Sequence, residues 1–237
     1  MSFAKFELLK SRIYGGHSMK RSGKHLLVIG GALIVAFAIW TILVLMVDVQ
    51  PIGQNGTDVG FATFNVWFRR LTGVHMSLYV ITDWLGLVPI FVCMIFAGIG
   101  LVQLIKRKNL FKVDYDILIL GVYYLIVIVC YVAFEIYPIN YRPLLIDGVL
   151  EASYPSSTTL LVLSVMPTLD FEVKRRIDNM LLGKIICSIT NVFMTFMVMG
   201  RLFSGVHWFT DIVGSVILSA GLFCIYKSIV CIFDKEI

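Results

Sequence analysis

Three side chains near the carboxyl end have the types and spacing for phosphoryl chemistry. They are Arg201, His207 and Asp211, in the stretch Gly200-Arg-Leu-Phe-Ser-Gly-Val-His-Trp-Phe-Thr-Asp211. An imidazole whose Nδ1 proton is held by a carboxylate keeps Nε2 free as a nucleophile. His207 and Asp211 are four residues apart, so on a helix they share one face, one turn apart. Arginine is a cation at any relevant pH and holds a phosphate with two parallel hydrogen bonds. Together the three read as a phosphate-handling site, with His207 as nucleophile and Asp211 as its orienter. The plainer alternative is a snorkelling arginine beside an interfacial histidine.

The elements that must position these residues are membrane helices. The chain is 59% hydrophobic and 15% charged, with mean hydropathy +0.89, which excludes an ordinary soluble domain. A spanning helix needs about 20 apolar residues. Leu26–Val47, Trp84–Ile105, Ile117–Pro138, Met180–Met199 and Val206–Phe233 each supply one. Ser156–Leu169 is short for a lone span and works only with its start sunk inside a bundle, where protein satisfies the backbone. The expectation is an all-α bundle of six transmembrane helices.

Sixteen of the twenty lysines and arginines fall on one side of that bundle: the amino-terminal arm, the connections around 106–112 and 174–184, and the tail. By the positive-inside rule that side, with both termini, is cytoplasmic. Arg69, Arg70, Arg142 and Arg201 lie on the other side, so the site faces outward in the cell membrane. The formal charge of +5 is explained by this asymmetry and needs no nucleic acid. Residues 1–25 read as a basic cytoplasmic arm on anionic headgroups. It lacks a small-residue cleavage site and is expected to stay attached. Residues 26–237 read as one membrane domain. Within it the outer connection 48–83 carries Phe61, Phe64, Phe68 and Leu71 at helical spacing, the pattern of an interfacial helix serving as lid or brace. His75 and Asp83 lie in that connection, within reach of a site above the bundle, with nothing in the sequence to show that they enter it. The five cysteines sit in apolar spans with no metal-ligand spacing.

Further chemistry-bearing residues gather at the same outer ends. The third span finishes in Glu135-Ile-Tyr-Pro-Ile-Asn-Tyr-Arg142-Pro143, and Glu151 follows. Tyr154-Pro155-Ser156-Ser157-Thr158-Thr159 opens the short fourth helix. A helix start there points free N–H groups outward as an anion site, although an ordinary cap explains the stretch equally well.

The joint spacing resembles the type 2 phosphatidic acid phosphatase (PAP2) superfamily, six-helix phosphatases of lipid phosphates and diphosphates. Its motifs are Lys-x6-Arg-Pro, Pro-Ser-Gly-His and Ser-Arg-x5-His-x3-Asp. Here they read Glu135-x6-Arg142-Pro143, Pro155-Ser156-Ser157-Thr158 and Gly200-Arg201-x5-His207-x3-Asp211, over about residues 84–233. The resemblance implies a phosphohistidine on His207, oriented by Asp211. Arg142, Arg201, Ser156 and the Ser157 N–H would bind phosphoryl oxygens, with no metal or cofactor. Thr158 stands where the family has its histidine acid, Glu135 where it has lysine, and Gly200 where it has serine. A site without that acid suits a diphosphate such as a polyprenyl diphosphate, because a phosphate leaving group needs little protonation. Otherwise Glu135, Asp147 or Glu151 supplies the proton. Two function classes follow: an outward-facing lipid (di)phosphate phosphatase, or a non-catalytic member that binds or moves a phospholipid headgroup or serves as a partner subunit.

Overall fold

The structure, a computed structural model, describes the backbone of residues 3–233, with side chains from Ser22 onward. Most side chains of the basic arm, and Lys235, lie outside the described residues. Among the described residues there are eight α-helices: α1 (Phe3–Met46), α2 (Ala62–Thr72), α3 (Met76–Leu85), α4 (Leu87–Arg107), α5 (Tyr115–Ile136), α6 (Ser157–Arg176), α7 (Met180–Ser204) and α8 (Phe209–Phe233). Among the described residues there is no strand, only isolated antiparallel bridges in the loops.

Five segments are long and apolar enough to cross a membrane: Ser22–Met46, Met76–Arg107, Tyr115–Ile136, Met180–Ser204 and Phe209–Phe233. Their outward faces stay apolar, with Phe91, Val122, Val129, Leu181 and Ile189 exposed, as a bilayer requires and water would penalise. The second span begins at Met76, eight residues before the expected Trp84. Gly86, between α3 and α4, keeps right-handed helical angles (φ −60°, ψ −15°), so the polar-looking end of the outer connection continues the helix. The expected sixth span, α6, is not among the five. It is 20 residues long, roughly 30 Å at helical rise, but its second half carries Asp170, Glu172, Lys174, Arg175 and Arg176.

α6 is nevertheless the axis of the bundle. Thr159, Leu160, Val162, Ser164, Val165, Met166, Thr168, Glu172 and Val173 are all buried on it. Leu120, Tyr123 and Val127 of α5, Met197 of α7 and Tyr226 and Val230 of α8 pack in the same core. Lipid tails are as apolar as leucine, so such a core is held by close packing and by hydrogen bonds of about 0.6–2 kcal/mol each. Tyr123 Oη donates to the Ser164 carbonyl (2.9 Å), and the Tyr124 and Thr168 hydroxyls pair at 2.7 Å.

α1 lies along α8, tied by Ser228 Oγ to the Gly23 carbonyl (2.7 Å) and by Trp40 Nε1 to the Thr210 carbonyl (3.2 Å). α2 braces the start of α8. Phe64 and Phe68 meet the Phe209 ring at 5.2 and 5.0 Å, and buried Asn65 donates to Thr210 Oγ1 (3.0 Å). Leu71 and Trp67 of the same helix remain exposed.

Candidate active site

A short antiparallel pairing between α5 and α6 positions the first part of the site. The Arg142 N–H donates to the Glu151 carbonyl (3.0 Å) and the Ser153 N–H to the Asn140 carbonyl (2.9 Å), with Tyr141 bridged to Ala152 between them. The second part comes from the turn between α7 and α8. Gly205 ends α7 at φ 73°, a left-handed angle that glycine takes without Cβ strain. A Cβ there would also stand 2.5 Å from the Gly73 carbonyl. His207 lies in this turn, ahead of α8, and Asp211 lies in the first turn of α8.

The helical face expected for His207 and Asp211 is therefore not how they meet. Asp211 Oδ2 accepts from the Trp208 N–H (2.8 Å), reaching back over the first turn as capping acids do. It stands 3.9 Å from His207 Nδ1, too far for a hydrogen bond. Ser153 fills the interval. Its hydroxyl donates to Asp211 Oδ2 (2.5 Å) and lies 3.1 Å from His207 Nδ1, while its carbonyl is 3.2 Å from the same nitrogen. Asn140 Nδ2 donates to the other Asp211 oxygen (3.3 Å). Ser153 thus holds the Nδ1 proton, and the carboxylate orients the imidazole through one hydroxyl. Burial, followed by the charges of Arg142 and Arg201, holds the His207 pKa well below its usual range. The imidazole is neutral, with Nε2 buried and without a hydrogen-bond partner.

Arg142 and Arg201 face this histidine. Arg142 is 7% exposed and Arg201 1%. Each has one nitrogen engaged: Arg142 Nη2 with Glu151 (3.0 Å), and Arg201 Nη2 with Asp83 (3.0 Å) and the Thr158 hydroxyl. Nε and Nη1 of both arginines are buried without a partner. Between the guanidinium groups stands Tyr79, whose ring centroid is 5.6 Å from Arg142 Cζ and 5.0 Å from Arg201 Cζ. Buried donors left unmade are costly, about 1–3 kcal/mol each and more for charged groups. Four guanidinium nitrogens beside a neutral imidazole match the oxygens of a phosphoryl group.

Arg142, Arg201, His207, Asp211, Thr158 and Glu151 are brought together as the sequence suggested. Among the described residues the Ser156 and Ser157 side chains make no hydrogen bond to either arginine. The Ser156 hydroxyl donates to Thr159 Oγ1 (3.1 Å), and Ser157 lines a groove on the other face of the segment with Tyr131, Phe134 and Glu135. Among the described residues Glu135 makes no hydrogen bond or ion pair. Exposed His75 turns Nε2 to the Thr72 carbonyl (2.9 Å), away from the site. Tyr79, Asn140 and Ser153 were missed, and Asp83 was named only as lying within reach. The four-residue spacing of Tyr79 and Asp83 inside an apolar run was a usable signal. Ser153 had none, since it arrives through the pairing of 140–142 with 151–153.

Fold and site define a helical membrane protein with a cluster of buried, unpartnered arginine donors at one end of its bundle. Comparison narrows the class. Residues 123–232 match the model of the PAP2 superfamily, and that stretch holds the positions of all three motifs. The crystal structure of a transmembrane PAP2 type phosphatidylglycerolphosphate phosphatase from Bacillus subtilis has the same fold, with TM-score 0.55 at 18% identity. The likeness covers 84% of this chain and 94% of that one. No curated protein matches the chain.

Proposed function

We propose that the chain is a PAP2-type membrane phosphatase that cleaves a lipid phosphate or, preferentially, a lipid diphosphate of the polyprenyl kind, through a phosphohistidine on His207. The observation that carries the reading is the set of buried, unpartnered groups: Nε and Nη1 of Arg142 and Arg201, and Nε2 of His207. A structural arginine cluster has no use for that arrangement.

In the reaction Nε2 attacks phosphorus, the P–N bond forms, and the bond to the leaving oxygen breaks. The ring becomes positive, and Ser153 holds its Nδ1 proton while passing the Asp211 charge through its hydroxyl. Arg142 and Arg201 stabilise the charge that develops on the phosphoryl oxygens, an effect of about 10²–10³ per donor in comparable sites. The Ser157 N–H contributes as the start of α6. Thr158 cannot protonate an alkoxide at neutral pH, whereas a phosphate with a second pKa near 6 leaves without help. Thr158 by itself therefore favours diphosphates over monophosphates. α6 serves as the sixth crossing helix, the site faces the extracytoplasmic side, and both termini are cytoplasmic. The segregation of sixteen basic residues supports this orientation. Labelling of a cysteine at Asp147 only from the cytoplasmic side would contradict it.

A second reading has one observation in its favour. Arg201 holds Thr158 and Asp83 where the family's acid would stand, so the chain would be a non-catalytic binder of phospholipid headgroups. Phosphate release by the purified protein from a panel of lipid monophosphates and diphosphates decides between them. Release lost in His207→Ala supports the enzyme. No release from any lipid, with headgroup binding retained, supports the binder.

A further inference from the structure

We propose that Asp83 is the proton donor and acceptor of this site, in place of the histidine that Thr158 replaces; the proposal rests on the phosphatase reading above. Asp83 lies on α3, outside residues 123–232 that match the family model, so no family motif assigns it.

Three observations converge on it. Arg201 Nη2 donates both to Asp83 Oδ1 (3.0 Å) and to the Thr158 hydroxyl. Two acceptors on one nitrogen lie within roughly 5 Å of each other, so the carboxylate stands beside the position the family gives to its acid. Second, Tyr79, one turn earlier on α3, lies against both guanidinium groups. α3 is thus a wall of the site through two side chains on one face. Third, α3 packs tightly against residue 200, which is glycine. A Cβ there would stand 2.6 Å from Thr82 Cγ2, so the family's serine would displace the Thr82 side chain, next to Asp83 on α3. The departures at 158 and 200 fit together: one removes an acid, and the other leaves room beside the helix that carries a carboxylate.

The other carboxylates are placed for other work. Glu151 is tied to Arg142, Glu135 lines the groove behind Ser157, and Asp147 is exposed in a loop. The Asp83 side chain is 56% exposed, open to exchange protons with water.

The step balances with no further reactant. A lipid monophosphate enters as the monoanion and gives its proton to Asp83. Nε2 of His207 attacks phosphorus, and the P–O bond breaks with its electron pair on the lipid oxygen. Asp83 delivers the proton there, and the lipid alcohol leaves. Water then attacks the phosphohistidine and loses a proton to Asp83. The P–N bond breaks with its pair returning to Nε2, and the proton passes to the departing phosphate. A diphosphate needs the first transfer little, because its leaving group is itself a phosphate.

The test uses the purified full chain, a polyprenyl monophosphate and the diphosphate of the same alcohol. Asp83→Asn, nearly isosteric, should lower kcat/KM for the monophosphate by about 10²–10⁴ and for the diphosphate less than tenfold. Adding Thr158→His to Asp83→Asn should restore at least tenfold of the monophosphate activity. Glu151→Gln should lower both lipids in the same proportion. An unchanged monophosphate rate in Asp83→Asn overturns the proposal. So does an equal loss on both lipids, or no recovery with Thr158→His, since either makes Asp83 a mere support for Arg201. Wild type that cleaves neither lipid sinks the phosphatase reading and this one with it. An active wild type with an insensitive Asp83→Asn sinks only the assignment of Asp83.

Discussion

Two clusters of arginine and carboxylate sit at opposite ends of the bundle, and only one is complete in itself. At the basic end, Arg176 bonds Glu172 Oε2 (2.9 Å), Asp116 Oδ2 (2.6 Å) and Asp114 Oδ2 (3.5 Å). Tyr226 Oη donates to the other Glu172 oxygen (2.7 Å), and Arg107 holds Asp114 at 2.7 Å. Glu172 is fully buried, yet both its oxygens are engaged. This cluster locks the ends of α5, α6 and α8 together. At the other end Arg142 and Arg201 each spend one nitrogen on a half-exposed carboxylate and leave two buried donors unmade. The same residue types are structural where the protein satisfies them and functional where it leaves them for a ligand.

That contrast can be broken in four ways, taken from the largest expected effect downward. Arg176→Ala strands the buried Glu172 carboxylate and should cost about 3–5 kcal/mol of stability, read as a lower midpoint in thermal unfolding. Activity per folded molecule should hold; a specific loss of turnover would make the basic cluster part of the site. Arg142→Ala and Arg201→Ala should each lower kcat by about 10²–10³ with a smaller change in unfolding midpoint, the reverse of the Arg176 pattern. Ser153→Ala removes the hydroxyl between His207 and Asp211 but keeps the carbonyl, so kcat should fall about tenfold, within the range for one hydrogen bond. A loss as large as that of His207→Ala would make Ser153 part of the reacting set.

The smallest effect is on pH. The folded His207 pKa is depressed, so the acid limb of kcat/KM that reports this group should lie below the usual histidine value of about 6.5. The same shift bears on stability. Below about pH 6.5 the unfolded chain takes up a proton on His207 that the folded chain refuses, so stability falls as pH drops through that window. His207→Gln should flatten that part of the profile. An acid limb at 6.5 or above would mean that the imidazole is neither buried nor flanked by the two arginines.

The membrane helices and the histidine–arginine cluster were legible in the sequence because each rests on local pattern. Long apolar runs specify spans, and the closeness of Arg201, His207 and Asp211 in the chain brings them together, although across a turn rather than on one helical face. What escaped was set by long-range packing. Asp83 looked like part of a polar connection because helix continuation through Gly86 leaves no local mark. Ser153 enters through a pairing of two loop segments, and its hydroxyl displaces the direct histidine–aspartate bond that spacing alone suggested. The Ser156 hydroxyl was read toward the phosphate from motif position, but it turns to Thr159 of its own helix. The sequence marked only Ser156–Leu169 of α6 as a span, because the charged end of that helix, from Asp170 to Arg176, breaks the apolar run.

The most direct measurement is to trap the phosphorylated protein. The purified chain is mixed with a polyprenyl diphosphate labelled with radioactive phosphorus, denatured within the first turnover, and treated with acid or alkali. The account predicts a protein-bound label that is lost in acid and stable in alkali, as a P–N bond is, and absent from His207→Ala. Label that survives acid, or undiminished phosphate release by His207→Ala without any bound label, would contradict it.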